Sequence, residues 1–492
     1  MEKNARCAAG FGSLTTPFDF DDLPYLSVPL PEDLAALKGA GHFDALRRAI
    51  DTRLARPWLE EGMRRRLRLE LFILERLEED YTLTRPQLLA ALEDLLRDFD
   101  PAELDGYEAD GLLDWIFIEG EQRFLNSAVD NLFVVDPALP GRRRTWPDAT
   151  RAMKEEEEKD GMRRTMRQCG RLAMRYRIRC ELQLKPEAVR EGKLLRVQLP
   201  LPLEAAQSSN VQLLQTSHTP VVVAPADHAQ RTVVLEAPAR PGEVFWAEYQ
   251  YDCENPYLPA WELAELPCEQ RPAGAAPALT EEEQRRYTAQ QAPHIAFTPY
   301  LQGLAQRIVG DLTDPLAKAR AIYDWITRNI RYSFARSYFA IPNLPEFTAR
   351  NQKGDCGMET LLFITLCRIC GVPARWQAGR SMTPWSGGTS CHDWAQFYAA
   401  PYGWLWVDCS YGVGAWRAGD DEKRRFFFGN TIPARIVLAG EFQHRLYVPM
   451  HWMRFDPYDN QEGEAEYADG GISYRDLVCS TRILHSERLV RP

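Results

Sequence analysis

Apolar residues recur at helical spacing through the first third of the chain. Leu34, Leu37, Phe43, Leu46 and Ile50 form one stripe, and Leu67, Leu71, Leu74 and Leu77 a second. Leu88, Leu89, Leu92, Leu95 and Leu96 form a third. Thr84-Arg85-Pro86 offers a helix start, with proline in the first turn where its missing N–H costs nothing. A helical N-terminal region over residues 1–150 is predicted, without a repeat period. Residues 137–160 turn polar and charged and read as a linker. The period then changes to two. Residues 172–180 and 193–200 alternate, and short apolar runs follow at 211–214, 221–223, 233–235 and 244–251, punctuated by Pro, Gly and Asn. Strands at this spacing predict an antiparallel β-sandwich middle domain over 161–268. A Pro- and Ala-rich stretch at 255–277 reads as a second linker. Helical patterns at 281–289, 300–310 and 315–330 follow, then a helix from Cys356 and several strands. Helices first and an antiparallel sheet after them is α+β order, assigned to a C-terminal domain at 280–492.

Length and composition refine this outline. A chain of 492 residues is too long for one ordinary core, and its 45% hydrophobic content is that of a globular protein. The net charge of −11 argues against nucleic acid as the main partner. The acidic run at 155–160 and the basic one at 163–179 read as a solvated helix and its boundary. Residues 1–12 lack a basic region followed by an apolar core, and no apolar stretch reaches the roughly 20 residues needed to cross a bilayer. A cytoplasmic location with no membrane partner is therefore expected. The eleven cysteines are odd in number and scattered, which predicts reduced core thiols rather than a disulfide framework.

The candidate chemistry begins at Lys353-Gly354-Asp355-Cys356-Gly357. Asp355 is a good N-cap, Gly371 a good helix stop, and Pro373 follows it. Cys356 then falls in the first turn of an apolar helix, where the helix dipole and free N–H groups favour a thiolate. Gly357 beside it leaves the approach open. Residues 391–398 and 404–409 read as two strands joined by a turn at 399–403. In such a hairpin His392 and Asp408 share parity and fall on one face. An imidazole there can accept a thiol proton, and a carboxylate beside it can fix the tautomer. Cys367 and Cys370 form a C-x-x-C, but in mid-helix with no second pair at zinc-ribbon spacing, so neither a metal nor a cofactor is expected. No phosphate loop or dinucleotide fingerprint occurs.

Gly-Asp-Cys at 354–356, Leu-Cys-Arg at 366–368, Gly-Val-Pro-Ala-Arg at 371–375, His-Asp-Trp-Ala-Gln at 392–396 and Trp-Val-Asp at 406–408 together resemble the core of the transglutaminase-like superfamily, a branch of the papain-like cysteine peptidase fold. The resemblance covers residues 316–412 most closely. Phe428-Gly429-Asn430 looks like a later family element, and the strand-rich region around 198–202 is similar to a domain that precedes the core in bacterial members. It implies Cys356 as nucleophile, His392 as general base and acid, and Asp408 as the orienting residue. It also implies a thioester that passes to water or to a second amine. The simplest expectation is a cysteine peptidase acting on protein or peptide substrates. A protein-glutamine transglutaminase and a non-enzymatic binding scaffold with a retained triad are the alternatives. For the oxyanion, the Cys356 N–H is one expected donor and Tyr332 a candidate second, with Asn351 and Gln352 as rivals. Trp385, in the Gly-rich loop at 381–390, is a candidate for a mobile rim of the cleft.

Overall fold

The computed structural model describes residues 16–490 apart from 137 and 146–148. The protein is a mixed α/β molecule with several antiparallel sheets. The predicted apolar stripes of the first segment lie on helices. The Phe43–Leu54 helix buries Phe43, Leu46 and Ile50, and the Glu61–Asp80 helix buries Leu67, Leu74 and Leu77. The Arg85–Leu95 helix begins in a capping box, in which Thr84 and Gln87 satisfy each other's backbone N–H groups. A small antiparallel sheet of Leu83–Thr84, Trp115–Ile118 and Glu121–Phe124 interrupts the helices.

The stretch expected as a first linker is instead helical from its middle, as part of the Ala149–Cys169 helix. Its surface is nearly all charged, and only Met162 and Met166 give apolar anchors to a core. Ion pairs one turn apart, such as Arg151 to Glu155 at 2.9 Å, support such a helix without an apolar stripe, which is why the hydrophobic pattern missed it.

Two sheets share one hydrophobic core. The four-stranded sheet runs Leu477–Arg488, Arg171–Leu184, Val244–Pro256, Ser208–Thr216. The five-stranded sheet runs Gly470–Gly471, Glu464–Tyr467, Leu194–Pro200, Thr232–Pro238, Pro220–Val223. Alternate residues of each, including Tyr176, Ile178, Val197, Leu235 and Tyr249, are fully or almost fully buried between them. Both sheets take strands from the end of the chain. Glu464–Tyr467 pairs with Leu194–Pro200, and Leu477–Arg488 pairs with Arg171–Leu184. The 280–492 segment is thus woven into the sheets of the middle segment.

A third, five-stranded sheet carries the candidate chemistry. Its order is Phe428–Gly429, Gly403–Val407, Gly388–Ala399, Ala374–Thr383, Arg435–Ala439, all antiparallel. The Cys356–Ile369 helix packs on one face, and residues 357–368 of it are all buried. Ala395, Phe397, Leu405 and Val407 meet it from the sheet. Trp394 and Trp406 cover the opposite face with Leu203 and Val437. The Tyr251 hydroxyl donates to the Arg435 carbonyl at 2.8 Å, tying this sheet to the four-stranded one. Among the described residues no helix is long and apolar enough to cross a membrane.

The late strands should be essential to the fold. A chain ended at residue 463 loses one of the two partner strands of Leu194–Pro200 and one of the two of Arg171–Leu184. It is expected to show no cooperative melting transition by circular dichroism. A transition matching that of the full chain would contradict the shared-sheet account.

Candidate active site

Cys356 is the first residue of its helix, and Asp355 caps it. The Asp355 Oδ1 accepts the Met358 N–H at 3.1 Å and also accepts the Tyr338 hydroxyl. A Cβ at position 357 would run into the Tyr338 hydroxyl and the Asp393 carboxylate, so glycine there lets both groups close over the first turn. The Cys356 thiol donates to Asp393 Oδ2 at 3.4 Å. Burial, and then the carboxyls of Asp393 and Asp355, push this thiol well above its usual value. The resting sulfur is therefore a neutral thiol, not the thiolate expected from the helix start alone. The partial positive charge of a helix N-terminus is about half a unit, and burial beside carboxyl groups outweighs it.

His392 lies in Gly388–Ala399, paired across from Gly379. Its Nε2 is 2.7 Å from Asp408 Oδ2, and Arg435 Nη2 donates to the same oxygen at 2.6 Å. Asp408 and Arg435 have no solvent exposure. Asp408 Oδ1 accepts the Tyr411 N–H at 3.0 Å, which starts the Cys409–Arg417 helix. The imidazole stacks on Tyr411 at 4.9 Å and Trp394 at 6.0 Å between ring centres. Burial pulls His392 below its usual value; Asp408 opposes this and Arg435 adds to it. Burial pushes Asp408 upward, but His392 and Arg435 outweigh that and hold it below the usual carboxylate range. The resting pair is a carboxylate and a neutral imidazole. With Nε2 engaged by Asp408, Nδ1 is the nitrogen left for proton exchange.

His392 and Asp408 thus come together, while the direct partner of Cys356 is Asp393. Side chains alternate along a strand, so His392 and Asp393 leave the sheet on opposite faces. Asp393 lies on the side of the nucleophile's helix, and His392 on the side of Trp394. Gln461 links the two. Its Oε1 accepts the His392 N–H at 2.9 Å, and its Nε2 donates to Asp393 Oδ1 at 2.8 Å and to Asp459 Oδ2 at 3.0 Å.

Cys356 borders a cavity of about 390 Å³, with Tyr332, Tyr338, Asp393 and Asp459 also in its wall. Burial raises Asp355 to about 6. Burial and then Asp456 raise Asp459 to about 8, and burial raises Glu464 to about 7. Tyr332 stands in this wall on the two-residue strand Arg331–Tyr332, held by pairing with Lys353–Gly354. Burial pushes its phenol well above the usual range. Asn351 and Gln352 are exposed at the end of the Leu344–Asn351 helix. Trp385 sits away from this cavity. Strand pairing continues to Thr383 opposite Gly388, and the Trp385 N–H donates to Glu158 at 2.9 Å. Lys154 lies over its ring at 5.0 Å, so the hairpin tip is pinned to the Ala149–Cys169 helix. Among the described residues no group of three or more His, Cys, Asp or Glu is arranged to hold a metal ion.

Sequence reasoning missed Asp393, although it lies inside the quoted His-Asp-Trp motif. Period-two alternation was applied to His392 and not to its neighbour. It also missed Arg435, Asp456, Asp459 and Gln461. These reach the site from distant parts of the chain, and no local pattern marks them.

The family model of the Transglutaminase-like superfamily matches residues 302–409. An uncharacterized protein of Haemophilus influenzae is 27% identical over 193 residues, covering 35% of this chain and 51% of that protein. The match thus spans about half the length of that curated relative. Among solved structures, a candidate cysteine protease from Cytophaga hutchinsonii is 15% identical with a TM-score of 0.36, covering 64% of this chain and 90% of that one. The periplasmic domain of TgpA from Pseudomonas aeruginosa is 15% identical with a TM-score of 0.28, covering 54% of this chain and 96% of that one. At these scores the structures support no argument about activity.

The electrostatics around Cys356 can be tested without a substrate. Alkylation by iodoacetamide, followed by mass spectrometry, is expected to be slow at neutral pH and to rise only above the ordinary thiol value of about 8.5. Asp393→Asn removes the carboxyl that helps push the thiol upward and should speed labelling at pH 7. A rate that stays equal or falls in the variant would contradict the assignment of Asp393 as the group that keeps the thiol protonated.

Proposed function

We propose, from the transglutaminase-like domain at residues 302–409, that the protein is a thiol-dependent amide hydrolase, acting as a cysteine peptidase on protein or peptide substrates. The observation that carries the reading is the placement of Cys356 on a capped helix start, bordering a cavity; the Asp408-bound His392 lies on the other face of the sheet. Cys356 is the proposed nucleophile, His392 the base and acid, and Asp408 the residue that orients it.

In this reading a bound substrate displaces the thiol from its hydrogen bond to Asp393. The sulfur then attacks the amide carbonyl carbon as the thiol proton passes to His392 Nδ1, a transfer that requires His392 to move from the Trp394 side of its strand to the side of Cys356. Starting from a neutral thiol and a neutral imidazole, proton transfer and attack are coupled steps. The tetrahedral oxyanion is stabilised by the Cys356 N–H and by the Tyr332 hydroxyl, whose high pKa keeps it a donor. The C–N bond breaks as His392 returns the proton to the amine. Water, deprotonated by His392, hydrolyses the thioester and regenerates the thiol. An amine in place of water would give transamidation, and the ratio of the two products is readable in one assay.

A peptide-library digest with the full chain tests this. Cys356→Ala should abolish hydrolysis, and His392→Ala should lower it by about 10²- to 10⁴-fold. Asp408→Ala should also lose about 3–5 kcal/mol of stability, because it leaves Arg435 buried without its partner. Undiminished hydrolysis by a folded His392→Ala would remove His392 from the mechanism. Undiminished hydrolysis by Cys356→Ala would end the thiol reading.

A further inference from the structure

The wall of the cavity beside Cys356 holds four carboxyl groups without an ion-pair partner among the described residues. Asp355, Asp393, Asp456 and Asp459 all border it. Among the described residues these four accept hydrogen bonds from Tyr338, Cys356, Gln461 and backbone N–H groups, and none forms an ion pair with lysine or arginine. The cations nearby are engaged elsewhere. Arg76 pairs with Glu79 at 3.2 Å, and Arg336 donates to the Tyr81 hydroxyl at 3.1 Å. Glu462 and Glu464, also in the wall, already have Arg380 at 2.9 Å and Arg454 at 3.3 Å. Burial shifts all four upward; neighbouring aspartates add to this at Asp355, Asp393 and Asp459, while Arg454 opposes it at Asp456 and Asp459 and Arg76 at Asp456.

A second observation at the same place is independent of charge. Asn460 is 4% exposed and lines the cavity, and neither its Oδ1 nor its Nδ2 has a hydrogen-bond partner among the described residues. Trp376, 3% exposed in the same wall, has an unpartnered Nε1. Buried amide and indole groups are ordinarily satisfied, so these wall residues leave two donors and one acceptor unsatisfied beside the cavity. The volume of about 390 Å³ is in the range of a small-ligand or side-chain pocket.

We propose that this acidic cavity is a recognition subsite for a cationic group, an ammonium or guanidinium, carried by the acyl substrate next to the amide that Cys356 attacks. The subsite rests on the amide-hydrolase reading for its position relative to the scissile bond. The cation supplies the charge that Asp456, Asp459 and Asp393 lack, and Asn460 pairs with the polar backbone or head group that enters with it. Lysine, arginine or an equivalent basic residue is the side chain this chemistry selects. A neutral isostere leaves the carboxyl groups as they are in the empty cavity and gains nothing from them.

Binding and turnover separate the two readings. Calorimetry with full-length Cys356→Ser measures affinity for N-acetyl-lysine amide and for N-acetyl-norleucine amide. The lysine compound is expected to bind about tenfold or more tightly. That difference should shrink in Asp459→Asn, an isostere of the protonated acid, and likewise in Asp456→Asn. Equal affinities for the two compounds, or no binding of the lysine compound, would overturn the subsite even if the wild type hydrolyses peptides. Lysine-selective binding that is lost in the aspartate variants supports the subsite even if the wild type hydrolyses none. In that case only the amide-hydrolase reading falls.

Discussion

A carboxylate without access to solvent, Asp408, holds His392 at 2.7 Å and Arg435 at 2.6 Å through one oxygen, while its other oxygen caps a helix. Taking a carboxylate and a guanidinium out of water is costly, and only close geometry with satisfied hydrogen bonds offsets it. That requirement ties together the Gly388–Ala399 strand, the Cys409–Arg417 helix and the Arg435–Ala439 strand. It also fixes which nitrogen of His392 remains free. The Arg435 backbone is held in turn by Tyr251 of the four-stranded sheet. The candidate site and the strand-rich middle segment are therefore mechanically one object.

On the other face of the sheet the electrostatics run in the opposite sense. Around Asp408 the cations win and the carboxylate stays ionised. Around Cys356 burial and crowded carboxyl groups win, and the thiol and several aspartates are pushed upward. A resting site of this kind is unreactive toward general oxidants and alkylating agents, since the thiolate is the nucleophile.

The sequence made the local parts legible. Asp355 as N-cap, Cys356 in the first turn and the buried body of the helix follow from cap chemistry and apolar content. The shared side of His392 and Asp408 follows from parity in a hairpin whose register pairs Ala395 with Val407. The same parity places Asp393 on the nucleophile's side. What could not be read was non-local. Gln461, Asp456 and Asp459 lie about a hundred residues after Cys356 and reach its cavity only because the chain crosses back to add its last strands to the middle sheets. The acidic run at 155–160 reads as a solvated helix and is one, but the helix start at Ala149 falls in the stretch read as a linker, because ion pairs, not an apolar stripe, support it.

The central claim is that Cys356 carries the acyl group during turnover. Rapid acid quenching of the full chain mixed with a peptide library, followed by intact and peptide-level mass spectrometry, tests it most directly. The account predicts a transient acyl adduct on the peptide containing Cys356, labile to hydroxylamine and absent in Cys356→Ala. Hydrolysis that proceeds with no adduct under single-turnover conditions, or with an adduct on another residue, would contradict it.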